Sequence, residues 1–248
     1  HHLRFHPYGY TSFFYEISPY LNPAGQDNVI AVQVKNEGRN ARWYSGSGIY
    51  RHTWLTIVNP VHISELGGVF VKTVKVNDNA ADLEVVTTIE NFTPENLRLA
   101  VQVEIIDPSG QPAGMIKGET PAPRESPTGS FAQRVSVPQP KLWSLETPDM
   151  YQARVTIFRG KKILDQTMVS FGIRTIKIDA VNGLTLNGKA LKLKGGCFHH
   201  DNGPLGAAVI DRAEERKIEI LKKAGFNAIR CSHNPPSPEL LDVCDRLG

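Results

Sequence analysis

Asn227-Ala228-Ile229-Arg230-Cys231-Ser232-His233-Asn234-Pro235-Pro236-Ser237 reads as a short strand that ends in a rigid loop. Each proline removes a backbone donor and holds the residue before it in extended backbone, so no helix restarts before Ser237. Downstream, Pro238 suits a first helical turn, and Leu240, Leu241, Val243 and Leu247 supply an apolar stripe. Upstream, Ile220, Leu221 and Ala224 mark a second amphipathic helix that Gly225 stops, with Asp211 placed to cap it and Glu214 three residues on, as in a capping box. Before that helix, Leu191 and Leu193 alternate away from the two-residue hairpin turn Asn187-Gly188 and run into Gly195-Gly196-Cys197-Phe198. Strand, helix, strand, helix opens a parallel α/β array, which needs further units to close.

The preceding residues have a different texture. Leu83, Val85, Thr87 and Ile89 alternate in one run and Leu99, Val101, Val103 and Ile105 in the next, with a turn over Asn91 to Asn96; strands resume at Ala153, Val155 and Ile157. Eight of the 17 prolines fall between Asp107 and Pro148, which predicts loops and edge strands there. Residues 62–175 thus have the strand spacing of an immunoglobulin-like sandwich, without the cysteine pair and core tryptophan of antibody domains. From Tyr10 to Val61 the alternation of Ile30, Val32 and Val34 with Ala31, Gln33 and Lys35, bounded by Asn22-Pro23, Gly25, Asn36, Gly38 and Asn40, predicts short antiparallel strands. Too few for a closed sandwich, they read as the tail of a β domain. Both ends fall inside domains, and the chain reads as the middle of a longer protein.

Composition narrows the partners. The 248 residues carry 28 basic and 25 acidic side chains, a formal net charge of +3, with no like-charge block and no basic stripe, so nucleic acid is not implied. No apolar run approaches the ~18 residues that a spanning helix needs, so no membrane partner is expected. Cys197, Cys231 and Cys244 are an odd number without metal-ligand spacing and read as buried thiols.

In parallel α/β folds chemistry gathers where strands end. The first strand ends in His199-His200-Asp201-Asn202 and the second in Arg230 to Pro236, so two neighbouring loops offer imidazoles, an amide, a guanidinium and a carboxylate to a polyhydroxylated ligand. A metal held by His200, Asp201 and His233, and a nucleophilic pair of Cys231 with His233, are weaker alternatives. Retaining glycoside hydrolysis needs two carboxyl groups ~5 Å apart. Only Asp201 lies in a strand-end loop here, Glu214, Glu215, Glu219, Glu239, Asp242 and Asp245 being helical, so no catalytic pair is expected in this chain.

Three motifs together resemble glycoside hydrolase family 2: Arg42-Trp43-Tyr44-Ser45-Gly46-Ser47-Gly48-Ile49-Tyr50-Arg51; Leu186-Asn187-Gly188-Lys189 leading to Lys194-Gly195-Gly196-Cys197-Phe198-His199-His200-Asp201; and Asn227 to Ser237. The resemblance implies a partial jelly-roll sugar-binding domain over residues 1–61, an immunoglobulin-like β-sandwich over 62–175, and the first β/α units of a TIM barrel over 176–248. It implies a retaining exo-β-glycosidase that needs no cofactor and no metal, its two catalytic glutamates lying beyond Gly248, so that this fragment alone is inactive. Carried over, His200, Arg230, His233 and Asn234 line the subsite of the terminal sugar, with Asp201 as a support; the Arg42 to Arg51 signature is mostly structural. The Ser-His-Asn-Pro-Pro form resembles the β-galactosidase branch, since glucuronidase relatives usually have Tyr where Asn234 stands. Cys197 and Cys231 stand where relatives often have Val and Thr, which leaves the sugar open. The implied partner is a carbohydrate with terminal β-galactose, with room for a homo-oligomer in the full-length protein; family habit points to the periplasm or secretion. A β-glucuronidase or another family 2 glycosidase, and a non-catalytic glycan-binding β-sandwich protein, are the alternatives.

Overall fold

The computed structural model describes residues 1–38, 47–124 and 128–248. Arg42, Trp43, Tyr44, Ser45 and Gly46 of the first motif, and the turn residue Asn40, lie outside the described residues. The chain divides into two compact units, His1–Thr53 with Gly195–Leu241, and Trp54–Lys194 with Asp242–Gly248.

Among the described residues, the two main sheets of the larger unit are built from antiparallel strands: β1 (Val61–Ile63), β2 (Val69–Val76), β3 (Ala80–Asn91), β4 (Leu97–Ile106), β5 (Pro112–Ala122), β6 (Thr128–Pro138), β7 (Tyr151–Arg159) and β8 (Lys162–Phe171). In one sheet β6 runs along one side of β3, from Ala80↔Pro138 to Glu90↔Thr128, while β2 and β1 share its other side. The second sheet has the order β5-β4-β7-β8. Alternate residues of the two central strands, Leu83, Val85 and Ile89 of β3 and Leu99, Val101, Val103 and Ile105 of β4, meet Ala153, Val155 and Ile157 of β7 in one buried cluster. That is the period-two reading made physical, since one pleat face of each strand leaves water. The prolines stand where the ladder tolerates them: β5, with Pro112 and Pro121, and β6, ending at Pro138, each pair on one side only. Buried Asn91 closes the β3–β4 turn, its Nδ2 donating to Ala122 O at 2.7 Å and its Oδ1 accepting from Thr93 N at 3.0 Å.

A three-stranded sheet follows, β9 (Ile176–Asp179), β10 (Gly183–Leu186) and β11 (Lys189–Ala190). Asn187 (φ 50°) and Gly188 (φ 77°) make its two-residue turn, both in the left-handed region that this hairpin requires. The expected strand through Leu191 and Leu193 is corrected: β11 stops at Ala190, Leu193 is exposed, and β12 (Gly195–Phe198) is a separate element. Leu191 N still donates to Leu184 O at 2.8 Å, but the ladder of β10 and β11 ends at Ala190, and one further bond does not carry the strand through to Gly195.

The smaller unit contains β12, the helix α1 (Asp211–Lys223), β13 (Ala228–Cys231) and the start of α2 (Pro238–Leu247), with β12 and β13 parallel from Gly195↔Ala228 to Phe198↔Cys231. A Cβ on Gly195 would lie 2.2 Å from Ala228 O, so the pairing depends on glycine there. Ser237 Oγ accepts from Leu240 N at 3.3 Å and caps α2. The capping box expected for α1 does not form: Ile210 is the N-cap, Asp211 is the first helical residue, and Glu214 turns away to other partners. Its buried stripe is also displaced, with Ile218 inside and Ile220 exposed.

Among the described residues up to Pro60 there is no strand, only a 3-10 turn at Ser18–Tyr20. Ile30, Val32 and Val34 stand 65%, 56% and 44% exposed, so the alternation is present but no described segment pairs with it. The cysteines also differ from expectation, Cys197 being exposed and Cys231 and Cys244 half-buried. No helix among the described residues is long and apolar enough to cross a membrane.

Candidate active site

β12 and β13 run parallel and end together, so their following loops leave the same edge. A shallow open cleft lies there, lined by His199 and His200 from the first loop, Ser232 and Asn234 from the second, and Tyr50 and Arg51 from the N-terminal segment. The His200 ring stands edge-on to Tyr10, with centroids 5.0 Å apart, and to Tyr50 at 6.4 Å. Burial is the main cause that lowers its pKa, with the Asp201 carboxylate opposing, so the neutral imidazole is favoured. Its buried Nδ1 has no hydrogen-bond partner. Neutral imidazole with an unused nitrogen can donate to or accept from a hydroxyl group.

Asn234 Oδ1 accepts a 2.6 Å bond from the Tyr8 hydroxyl. Arg51 ties the same loop to the N-terminal segment, Nη2 donating to Pro235 O at 2.7 Å and Nη1 to Tyr10 O at 2.9 Å. The Ser232–His233 peptide within this loop is cis.

Arg230 is exposed, and its Nη1 donates to Ser232 Oγ at 3.0 Å, His233 Nδ1 at 3.3 Å and Cys197 Sγ at 3.6 Å. The hydrogen bond from Ser232, then the Arg230 guanidinium, lowers the Cys197 pKa. Burial instead pushes the Cys231 thiol up, and His233 Nδ1 is held by Arg230, so Cys231 and His233 do not form an activated thiolate pair. Asp201 is half-buried beside the cleft, its main-chain oxygen accepting from Lys217 Nζ at 3.4 Å. Of the five residues expected to bind substrate, His200 and Asn234 line the cleft, while Arg230 and His233, bonded to each other, and Asp201 stay off the lining.

Sequence reasoning missed Glu214, whose buried carboxylate lines the cleft and takes bonds from Asn202 Nδ2 at 2.8 Å and Lys217 Nζ at 3.0 Å. Its helical spacing pointed to a cap, and only the fold turns it inward. Tyr8 and Tyr10 carried no signal in the sequence. A different carboxylate pair does form: Asp211 and Glu239, in the first turns of α1 and α2, bring oxygens within 4.8 Å of each other and of His52 Nε2. His52 bonds Asp211 at 2.7 Å and stands 3.8 Å from Glu239, and neither carboxylate lines the cleft. His200, Asp201 and His233 do not reach such spacing among the described residues.

The family model described as "Glycosyl hydrolases family 2" matches residues 61–174, and that of the family 2 TIM barrel domain matches residues 176–248. The chain belongs to glycosyl hydrolases family 2. A family 2 structure from Bacteroides cellulosilyticus superposes with a TM-score of 0.90 at 42% identity, over 100% of this chain and 34% of that one. A β-galactosidase of Bacteroides ovatus is 44% identical over 98% of this chain, which spans 28% of that protein's length. A Bacteroides uniformis β-glucuronidase structure aligns with a TM-score of 0.74 at 33% identity, over 82% of this chain and 25% of that one. In family 2 terms, the paired sheets of β1–β8 are the sandwich, and β12, α1, β13 and α2 are part of the TIM barrel.

Proposed function

We propose that the protein carrying this chain is a retaining exo-β-glycosidase that hydrolyses terminal β-galactosides, the strand-end cleft receiving the terminal sugar. The observation that carries the reading is the convergence of His200 and Asn234 on one cleft from the ends of two parallel strands. A neutral imidazole and a carboxamide suit sugar hydroxyls, which both donate and accept. Arg230 and His233 stand one contact behind the lining, against Ser232 and His199, and are assigned to the sugar site with Asp201 as a support; none of this chain's carboxylates is assigned to the bond-breaking step. The same reading divides the chain into a jelly-roll part over 1–61, an immunoglobulin-like sandwich over 62–175 and the barrel start over 176–248. Galactose is preferred because of the Asn234 position and the 44% identical β-galactosidase.

A second reading, β-glucuronidase, is favoured by the 33% identical structure of that name and by the exposed Arg230 guanidinium, which suits a sugar carboxylate. The test is hydrolysis of 4-nitrophenyl β-D-galactoside and β-D-glucuronide by the entire reading frame that encodes this chain. Faster turnover of the galactoside is expected; preference for the glucuronide selects the second reading. Glycan binding without hydrolysis of any glycoside in a wider panel overturns both.

A further inference from the structure

The amide of Asn234 has one accepting end and one donating end, and a hydroxyl within the chain engages the first. Tyr8, 226 positions away in sequence, gives its hydroxyl hydrogen to Asn234 Oδ1 at 2.6 Å, short for a neutral pair. The turn that carries Tyr8 is itself held: Thr11 N donates to Tyr8 O at 3.3 Å, Tyr50 Oη to Gly9 O at 3.1 Å, and Arg51 Nη1 to Tyr10 O at 2.9 Å. The other Arg51 nitrogen holds Pro235 O, next to Asn234, at 2.7 Å. One guanidinium thus fixes the spacing between the aromatic turn and the loop, and the Tyr8 hydroxyl sets which way the amide faces within it.

We propose that Tyr8 is a positioning residue for specificity: by occupying Oδ1 it leaves Asn234 to present Nδ2 hydrogens to the ligand, so this position selects an accepting sugar oxygen. The inference rests on the reading that the cleft holds the terminal sugar. Without the tyrosine hydroxyl the amide can turn over and present its carbonyl oxygen, and an accepting ligand oxygen then meets an acceptor. A free amide therefore tolerates either polarity, whereas a held amide rejects one. Arg51 cannot replace Tyr8 in this, because it bonds main-chain oxygens and leaves the amide rotor untouched.

The experiment is a double-mutant cycle in the entire reading frame, read as kcat and KM on 4-nitrophenyl β-D-galactoside and β-D-glucuronide together with the thermal midpoint. Tyr8→Phe keeps the ring and removes only the hydroxyl, on a residue 44% exposed. It is expected to lower kcat/KM on the preferred substrate by about threefold to tenfold, the span of one neutral hydrogen bond, with an unchanged midpoint. In an Asn234→Ala background the same change is expected to do nothing further, because the group it orients is gone. Equal losses in both backgrounds, or no loss from Tyr8→Phe while Asn234→Ala impairs turnover, overturn the positioning role and leave the sugar-site reading standing. Unchanged kinetics in Asn234→Ala overturn both. Tyr8→Leu guards against a purely structural effect: a lowered midpoint with kinetics matching those of Tyr8→Phe still supports the proposal, since the hydroxyl is the shared loss.

Discussion

The indole N–H of Trp143 donates to the main-chain oxygen of Asp245 at 2.6 Å, across 102 residues of sequence. The last carbonyls of a helix have no partner within it, and a buried indole supplies one. The Arg174 guanidinium covers the ring at 4.5 Å from its centroid, and a Cβ on Gly172 would stand 2.8 Å from Trp143 Cβ and Cγ. Trp143→Phe is expected to cost about 1–2 kcal/mol through the lost donor and ring volume, and Gly172→Ala about 1–3 kcal/mol through the clash. Urea unfolding of both variants checks this; midpoints equal to the parent's would remove Trp143 from the account of stability.

Glu214 and Lys217 form an ion pair at 2.9 Å with side chains 5% and 16% exposed. Removing one partner from such a pair strands a charge, while replacing both by apolar groups does not. Lys217→Met is expected to destabilise by roughly 2–4 kcal/mol, and adding Glu214→Leu to recover part of that loss. A double variant less stable than Lys217→Met contradicts the assignment.

Two histidines have their pKa values shifted in opposite directions. The hydrogen bond that His52 gives to the Asp211 carboxylate is the main cause that raises the His52 pKa above 6.5, with Glu239 adding to it. Its contribution is therefore complete below 6.5 and is lost as the pH rises through the raised folded value. His200, with its pKa lowered from 6.5 mainly by burial, contributes fully above 6.5 and loses that contribution as the pH falls through the lowered value. Thermal midpoints should decline less toward alkaline pH in His52→Gln than in the parent, and less toward acid in His200→Phe. Parallel pH profiles for parent and variants would refute both assignments.

His233 shares the Arg230 guanidinium with Ser232 and stands edge-on to His199 at 6.2 Å. His233→Ala in the entire protein is expected to lower kcat/KM on the nitrophenyl galactoside by a factor equivalent to roughly 2–4 kcal/mol, the loss of a bond that strengthens toward the transition state. Parental kinetics in that variant take His233 out of the site.

The sandwich was legible because its strands are long and half-buried: Leu83 to Ile89 and Leu99 to Ile105 alternate, and those apolar positions are the core. Asn187-Gly188 and Ser237-Pro238 announced their turn and helix start through backbone preferences that need no tertiary context. Ile30, Val32 and Val34 show the limit, since alternation records a face to bury but not whether a partner strand exists to pair with it. Glu214 shows another: Asp-x-x-Glu spacing fits a cap, yet burial beside Lys217 and Asn202 decided its direction. His200 and Asn234 are legible from strand-end position alone, whereas Tyr8 is not, because nothing local to Tyr8 refers to a loop 226 residues away.

The hairpin turn at Asn187-Gly188 bears on how the protein ages. In a free peptide this dipeptide readily deamidates: the glycine nitrogen attacks the asparagine side-chain carboxamide carbon, ammonia leaves, and water hydrolyses the resulting succinimide at one carbonyl or the other to give aspartate or isoaspartate. Here Asn187 Oδ1 accepts from Thr175 N at 3.0 Å, Nδ2 donates to Trp143 O at 3.0 Å, and the Asn187 N–H is bound to Thr175 O at 2.8 Å. The amide must leave both partners before the attack geometry is reached. Isoaspartate accumulating at position 187 in stored protein therefore counts the openings of this hairpin, a chemical clock for local unfolding.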